Sequence, residues 1–265
     1  MTEVRELMTE GILTCPANAS PTDIAGLLVC QRVHAVFVLD DDGRPGGVVS
    51  DIDLIAGESP GGGDAGLAAM RNVTARQLMT APMLTIDAGA DVTDAAARLA
   101  EERIGRLLVV DDGRPVGVLS VSDVVAFIAD RPRPRETLAQ VMSHAIVVSQ
   151  PDVSIAAAAR AMTERRSRSI VVVDIAGRPV GVVTGHDLLR ALGDERPLTV
   201  ADVMSDEILS IAPDATLREA AERMLRHRVH RLVVVDPTPG GAAPIGLIST
   251  ADIVAALTSV APGAH

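Results

Sequence analysis

Apolar and polar positions recur along this chain in one order, four times. Each repeat opens on a similar phrase: "VRELMTEGILT" (4–14), "ARQLMTAPMLT" (75–85), "LAQVMSHAIVV" (138–148) and "VADVMSDEILS" (200–210). Each closes on another: "GVVSDIDLI" (47–55), "GVLSVSDVV" (117–125), "GVVTGHDLL" (181–189) and "GLISTADIV" (246–254). The spacing predicts a short strand after the opening methionine, then an amphipathic helix. In repeat 4, Leu217, Ala220, Ala221, Met224 and Leu225 share one helical face. An unbroken apolar run follows, "VFVLD", "LLVVD", "IVVVD" or "LVVVD", which reads as a buried strand. A turn, a "GVVS"-like strand and a second helix complete the repeat. The predicted fold class is therefore α+β (α/β), built from four β-α-β-β-α repeats.

Local signals agree with the period. Ser20, Asp91, Ser154 and Thr216 stand where the first helix of each repeat begins and are good N-caps. Asp23, Asp94 and Glu219, three positions on, add an acidic capping-box pattern in repeats 1, 2 and 4. Pro21 suits the first helical position, where its missing N–H costs nothing. Gly43-Arg44-Pro45, Gly113-Arg114-Pro115 and Gly177-Arg178-Pro179 suit hairpin turns. Repeat 4 has the longer "PTPGGAAP" loop there (237–244), so Met204 to Asp252 is three residues longer than Met8 to Asp53.

A repeat of roughly 50 residues buries too little surface to stand alone, so pairing is required. The linkers "GESPGGGDAG" (57–66) and "DRPRPRET" (130–137) suggest its order. They predict one module over 1–129, with repeats at about 4–56 and 75–128, and a second over 130–265, with repeats at about 138–192 and 200–258.

Composition narrows the partners. The chain has 265 residues and a net charge of −11, which disfavours nucleic acid and anionic membranes. Without Trp or Tyr it lacks the stacking platforms of single-strand binders. The charge is uneven: residues 1–130 hold 9 Arg against 20 Asp and Glu, whereas 131–265 hold 15 of each. All 24 basic residues are arginines, whose planar fork suits phosphate, so the second half is the better place for an anion. The acidic N-terminus has no apolar signal-peptide core, and no run approaches the ~18 apolar residues of a membrane span. A cytoplasmic protein is expected, with Cys15 and Cys30 as free thiols rather than a disulfide.

Two columns carry candidate chemistry. The first is Ser/Thr-x-x-Asp at the junction of the last strand and second helix: Ser50 with Asp53, Ser120 with Asp123, Thr184 with Asp187 and Ser249 with Asp252. An ionised Asp accepts two hydrogen bonds, which fits a vicinal diol, and a helix N-terminus favours phosphate. The same pattern is also a helix cap, with Ser or Thr as N-cap and Asp at N3. The second column is basic and precedes the buried strand: Arg32 and His34, then Arg103 and Arg106, then Arg165, Arg166 and Arg168, then Arg226, Arg228, His230 and Arg231. Arginine at a helix C-terminus also simply favours the dipole. That reading suits Arg165 and Arg226. The remaining His positions have poor metal spacing, the repeated Met positions read as core, and no G-x-S-x-G or activated-Cys constellation is present.

The opening "LMT"-like phrases, the "VVVD" strand with its turn, and Gly-x-x-Ser/Thr-x-x-Asp in every repeat resemble cystathionine-β-synthase (CBS) motifs, here as two tandem pairs or Bateman modules. The resemblance implies clefts between paired repeats that bind AMP, ADP, ATP or S-adenosylmethionine, with no required cofactor. It implies that the final Asp takes the ribose hydroxyls, that Ser or Thr lies by ribose or phosphate, and that the His or Arg before the buried strand faces phosphates. Carried over, these are the four pairs above with His34, Arg106, Arg168, His230 and Arg231. Ala35 in the Arg231 column and Gly105 in the His230 column weaken repeats 1 and 2, so repeats 3 and 4 are expected to be the better nucleotide module, with His230, Arg231 and Arg168 as phosphate contacts. The resemblance further implies a non-catalytic sensor that forms a homodimer through module faces and is read by a regulated protein partner. Two alternatives stand beside it: a CBS protein for S-adenosylmethionine or a metal ion, and an interaction module with vacant clefts.

Overall fold

A computed structural model of the chain describes residues 2–57, 73–129, 136–165, 167–191, 196–236 and 243–259. In repeat 1, β2 (Thr14–Pro16) leads into α1 (Pro21–Gln31), β3 (Ala35–Leu39), β4 (Pro45–Ser50) and α2 (Asp51–Gly57), with the short β1 (Thr9–Glu10) before them. Repeat 2 has α3 (Ala75–Leu78), β5 (Thr85–Asp87), α4 (Val92–Glu101), β6 (Arg106–Asp111), β7 (Arg114–Ser120) and α5 (Val121–Ala129). Repeat 3 has α6 (Leu138–Val141), β8 (Val148–Ser149), α7 (Ile155–Glu164), β9 (Ser169–Val173), β10 (Pro179–Thr184) and α8 (Gly185–Ala191). Repeat 4 has α9 (Val200–Val203), β11 (Ser210–Ile211), α10 (Leu217–His227), β12 (Arg231–Val235), β13 (Pro244–Ser249) and α11 (Thr250–Ser259).

The β-α-β-β-α order is the predicted one, and so are its starts. Ser20, Asp91, Ser154 and Thr216 each accept a backbone N–H of the first turn, and Thr216 with Glu219 forms a full capping box. In every repeat the buried strand pairs parallel to the strand before the helix and antiparallel to the one after the turn. Gly43, Gly113 and Gly177 take the positive φ that the predicted turns need. The loop 237–242 and the linker segments 58–72 and 130–135 lie outside the described residues.

The short helices α3, α6 and α9 were not legible from apolar periodicity. Each is a single capped turn, closed by Thr74 with Gln77, Thr137 with Gln140, and Thr199 with Asp202. These opening segments dock on a different repeat from their own. Val4 N–H donates to Ala90 O (2.9 Å), Ala75 N–H to Ala19 O (2.9 Å), Leu138 N–H to Ala215 O (2.8 Å) and Val200 N–H to Val153 O (2.8 Å). All four donors are wholly buried. Repeats 1 and 2 thus exchange opening segments, and so do repeats 3 and 4.

The repeated Met and Gly explain each other at these docks. A Cβ on Gly47 would lie 2.5 Å from Met79 Sδ, on Gly117 2.9 Å from Met8 Sδ, on Gly181 2.6 Å from Met204 Sδ, and on Gly246 2.6 Å from Met142 Sδ. Only a residue without a side chain lets the thioether lie on the strand. The methionines are packing residues, as predicted.

By its internal contacts the chain forms two compact units. One comprises 1–12, 84–146 and 209–265; the other comprises 13–83 and 147–208. The first, the even unit, joins the bodies of repeats 2 and 4 and holds the four-stranded sheet β1-β7-β6-β5. The second, the odd unit, joins repeats 1 and 3. The physical reason is the helical faces. Leu99, Val124, Val125, Leu217, Met224 and Ile253 share one core, while Ile24, Leu28, Leu54, Met162 and Leu188 share the other. Sequential repeats are tied by exchanged segments, and alternate repeats by their apolar helices. Cys15 is buried and Cys30 exposed, and both are free thiols.

Candidate functional site

The four Ser/Thr-x-x-Asp pairs adopt one geometry. In repeat 3, Thr184 N–H and Thr184 Oγ1–H both donate to Asp187 Oδ2, at 2.8 and 2.6 Å. Ser50 and Asp53 repeat this at 2.7 and 2.6 Å. Ser120 and Asp123 do so at 2.8 and 2.6 Å, and Ser249 and Asp252 at the same distances. The hydroxyl accepts the Asp N–H in return at 3.4 Å in repeats 2 and 3 and 3.3 Å in repeat 4. The motif is therefore a helix cap in all four repeats.

Asp53, Asp123, Asp187 and Asp252 are also the carboxylates expected to take ribose hydroxyls. In each, Oδ2 is already taken by the cap. Among the described residues, Oδ1 of each aspartate has no protein hydrogen-bond partner, and each side chain is half-buried rather than sealed. One oxygen holds the helix while the other can accept a ligand hydroxyl. Next to Asp123, Ser122 places Oγ 3.1 Å from His230 Nδ1. The imidazole expected on phosphate in repeat 4 thus meets a hydroxyl of repeat 2 beside Asp123.

Strand register joins the two predicted columns. Ser249 lies across from Arg231 and Ser120 across from Arg106, whereas Ser50 faces Ala35 and Thr184 faces Ser169. The even unit therefore sets an arginine beside each cap, and the odd unit sets none in that column. His230 and Arg231 belong to the even unit and Arg168 to the odd unit.

Sequence reasoning missed the residues lying inside the motif. In the odd unit, His34 Nδ1 lies 3.0 Å from Asp51 Oδ2, and Asp51 Oδ1 accepts Ile52 N–H at 2.9 Å. Asp51 is one of the few buried charged side chains, at 6% exposure. Burial raises its pKa, but the His34 hydrogen bond, the His34 charge and the nearby Arg168 outweigh that and hold it below the ordinary aspartate value. The His34 ring meets the His186 ring edge-on, with centroids 5.8 Å apart. His186 Nδ1 and Ser169 Oγ, both in repeat 3, are buried without a hydrogen-bond partner among the described residues. The signal was present: Asp51 and Thr250 occupy the second position of the motif, and Ser122 and His186 the third.

Two cavities, of about 380 and 520 Å³, contain none of the predicted site residues. The smaller is lined by Val148, Val153, Ala157 and Ile170, the larger by Pro16, Asp40, Asp41 and Arg76. Among the described residues no cluster of His, Cys, Asp and Glu could hold a metal ion, and no helix is long and apolar enough to cross a membrane.

A family model described as CBS domain matches residues 4–58, 75–130, 138–194 and 200–259. Protein MJ1404 of Methanocaldococcus jannaschii is 25% identical over 248 residues, which are 87% of this chain and 56% of that protein. Protein MJ1225 of the same organism is 22% identical over 215 residues, 72% of this chain and 76% of its own length. The chain thus spans little more than half of the first relative and three quarters of the second. The crystal structure of MJ1225 superposes with a TM-score of 0.84 at 19% identity, covering 97% of this chain and 100% of that one. At that identity the likeness is one of fold.

Proposed function

The chain belongs to the CBS-domain family, and from that premise we propose that it is a non-catalytic regulatory protein that binds an adenosine nucleotide (AMP, ADP or ATP) at its Ser/Thr-x-x-Asp junctions. One observation carries the reading. Each motif aspartate spends a single oxygen on its helix cap and, among the described residues, keeps the other without a protein partner, beside a helix N-terminus. Repeat 4 is the strongest candidate, because Ser249 and Asp252 lie at the end of β13, with Arg231 across from Ser249 and His230 next to Arg231. A carboxylate for the ribose and an arginine for phosphate suit a nucleotide better than an uncharged nucleoside. Repeat 4 also belongs to the pair of repeats that the charge balance favours.

Ligand binding would act by population shift. It favours whichever arrangement of the repeats binds it more tightly, and a protein partner, or a second copy in a homodimer, reads that arrangement. The exchanged opening segments give a route, since each one ties a repeat to its sequential neighbour. We place the functional pairs at 1–129 and 130–265 on that ground.

The test uses an unusual property of the chain. With no Trp and no Tyr, its own absorbance near 260–280 nm is close to nil, so an adenine carried through purification stands out, and mass spectrometry of the released ligand identifies it. Purified protein without an adenine band that also fails to bind added AMP, ADP or ATP in calorimetry overturns the reading and leaves an interaction module. Release of S-adenosylmethionine instead replaces the nucleotide with a sulfonium nucleoside at the same aspartates.

A further inference from the structure

The polar centre of the odd unit is not used by the proposed function, and its geometry has a consequence of its own. The second helices of repeats 1 and 3, α2 and α8, cross there closely. A Cβ on Gly185 would lie 3.0 Å from Ile55 Cδ1, 3.4 Å from Ile52 Cδ1 and 3.5 Å from Asp51 Cγ. Glycine at the start of α8 is what admits α2. At this crossing stand Asp51 from α2, His34 from the segment before β3, and His186 from α8 itself. Arg168, before β9, acts on Asp51, and Asp187 and Arg190 act on His186 from its own helix. The buried faces of α1 and α7, which also pack on α8, are apolar: Ile24, Leu28, Ala158 and Met162.

The ring roles follow from these contacts. Asp51 is ionised and accepts, so the proton of the His34–Asp51 bond sits on His34 Nδ1. His186 Nδ1 is buried and has no acceptor among the described residues, so the neutral ring carries its proton on Nε2. A second proton on His186 would bury an N–H without a partner, near the positive end of α8 and beside the His34 ring.

We propose that the α2–α8 crossing is a protonation-gated joint: a proton on His186 sets its ring against His34 and opens the packing of repeat 1 on repeat 3, while the even unit, with Ser122 in the place of His186, stays closed. The direction can be derived. Burial, then the His34 charge, lower the His186 pKa from its ordinary 6.5, against the pull of Asp187 and Asp51. The opened state therefore takes up the proton first. The joint's stability is complete above pH 6.5 and falls as pH drops below it, by roughly tenfold in the opening equilibrium per pH unit until the closed state is itself protonated. Asp51, held below the ordinary carboxylate value, stays charged through that window.

Amide hydrogen exchange of the full chain, read by mass spectrometry and corrected for the intrinsic pH dependence of exchange, tests this. Between about pH 7.5 and 5.5, peptides from α2 and α8 should lose several-fold more protection than those from α5 and α11. His186→Gln should abolish that difference. Equal loss in both units, or a difference that persists in His186→Gln, overturns the proposal. Should that variant not fold, the imidazole resonances of the wild-type chain decide: His186 titrating at or above the ordinary histidine value overturns it equally.

Discussion

In the odd unit the second helix of repeat 1 begins with a buried carboxylate, Asp51, which holds His34; in the even unit the same column of repeat 4 holds Thr250, also buried, and His230 reaches Ser122 instead. Across the unit the pairing differs again: His186 meets His34 in one, Ser122 meets His230 in the other. The apolar frame is the same in both, so the fold tolerates either polar centre. One centre carries a fixed negative charge and two imidazoles. The other sets a serine and a threonine around a single imidazole, with arginines across from its caps. On the proposed reading, phosphate recognition suits the even unit, and sensitivity to protons suits the odd one.

The largest expected effect separates the units at their methionine docks. A Cβ on Gly117 meets a backbone atom, Thr9 O, at 2.5 Å, whereas on Gly47 the three nearest atoms all belong to the Met79 side chain. Backbone held in β1 cannot yield as a thioether can. Gly117→Ala should destabilise the chain by about 3 kcal/mol and Gly47→Ala by about 1 kcal/mol, as overpacking does. Denaturant midpoints of the two variants measure this. Equal losses would mean that β1 is not held on β7 by that contact.

The next effect turns one polar centre into the other. Asp51→Thr copies the even unit's Thr250 and removes the acceptor of His34. A charge-assisted hydrogen bond is involved, but His34 is 34% exposed, so water recovers part of the loss. The expected cost is about 1–2 kcal/mol at neutral pH, and it should vanish in acid, where Asp51 would be protonated anyway. Thr250→Asp should not give a matching gain, because its buried carboxylate has to compete with Ser122 for His230. Thermal unfolding of both variants at neutral and acid pH makes the comparison.

Most of the frame was legible because it is local. Caps at Ser20, Asp91, Ser154 and Thr216 and the turns at Gly43, Gly113 and Gly177 depend on residues within a few positions. Which helical stripes meet was not. The cores formed by Leu99 with Met224 and by Leu28 with Met162 depend on which stripes fit together, and all four look alike. The Met–Gly docks were visible as repeated residues, yet nothing in a single repeat says that its methionine sits on another repeat's glycine. For the same reason the two candidate columns were found, but Asp51, Ser122 and His186, which lie between their members, gained meaning only from the opposing repeat.

A finer contrast concerns ligand. Asparagine at this third helical position keeps an amide oxygen to accept the Ser249 N–H, so Asp252→Asn should keep stability within about 1 kcal/mol of wild type. It removes the charge offered to a ribose diol, so nucleotide affinity should fall roughly tenfold. Asp53→Asn in the odd unit, with Ala35 across from Ser50, should change affinity for a phosphorylated ligand less. Calorimetry with the full chain measures both. Equal losses would erase the division of tasks, and no loss in either would reduce the motif to a cap.

The smallest expected effect asks where the units should not differ. Arg32, Arg103 and Arg228 end the first helices of repeats 1, 2 and 4 with φ of 53°, 54° and 55°, the left-handed conformation that glycine adopts without cost. Arg32 belongs to the odd unit and the other two to the even. Each non-glycine residue there stores strain of about 1 kcal/mol, partly offset in Gly variants by a more flexible unfolded chain. Arg32→Gly, Arg103→Gly and Arg228→Gly should therefore each stabilise the chain by about 0.5 kcal/mol, alike in both units. Urea unfolding resolves differences of that size when the three are measured together. If only the even-unit pair stabilises, Arg32 contributes something beyond its cap, and the acidic odd-unit centre two residues away at His34 is the place to look. If all three lose stability instead, these arginines make contacts worth more than the strain they carry, and the cap column joins the basic column as part of the site.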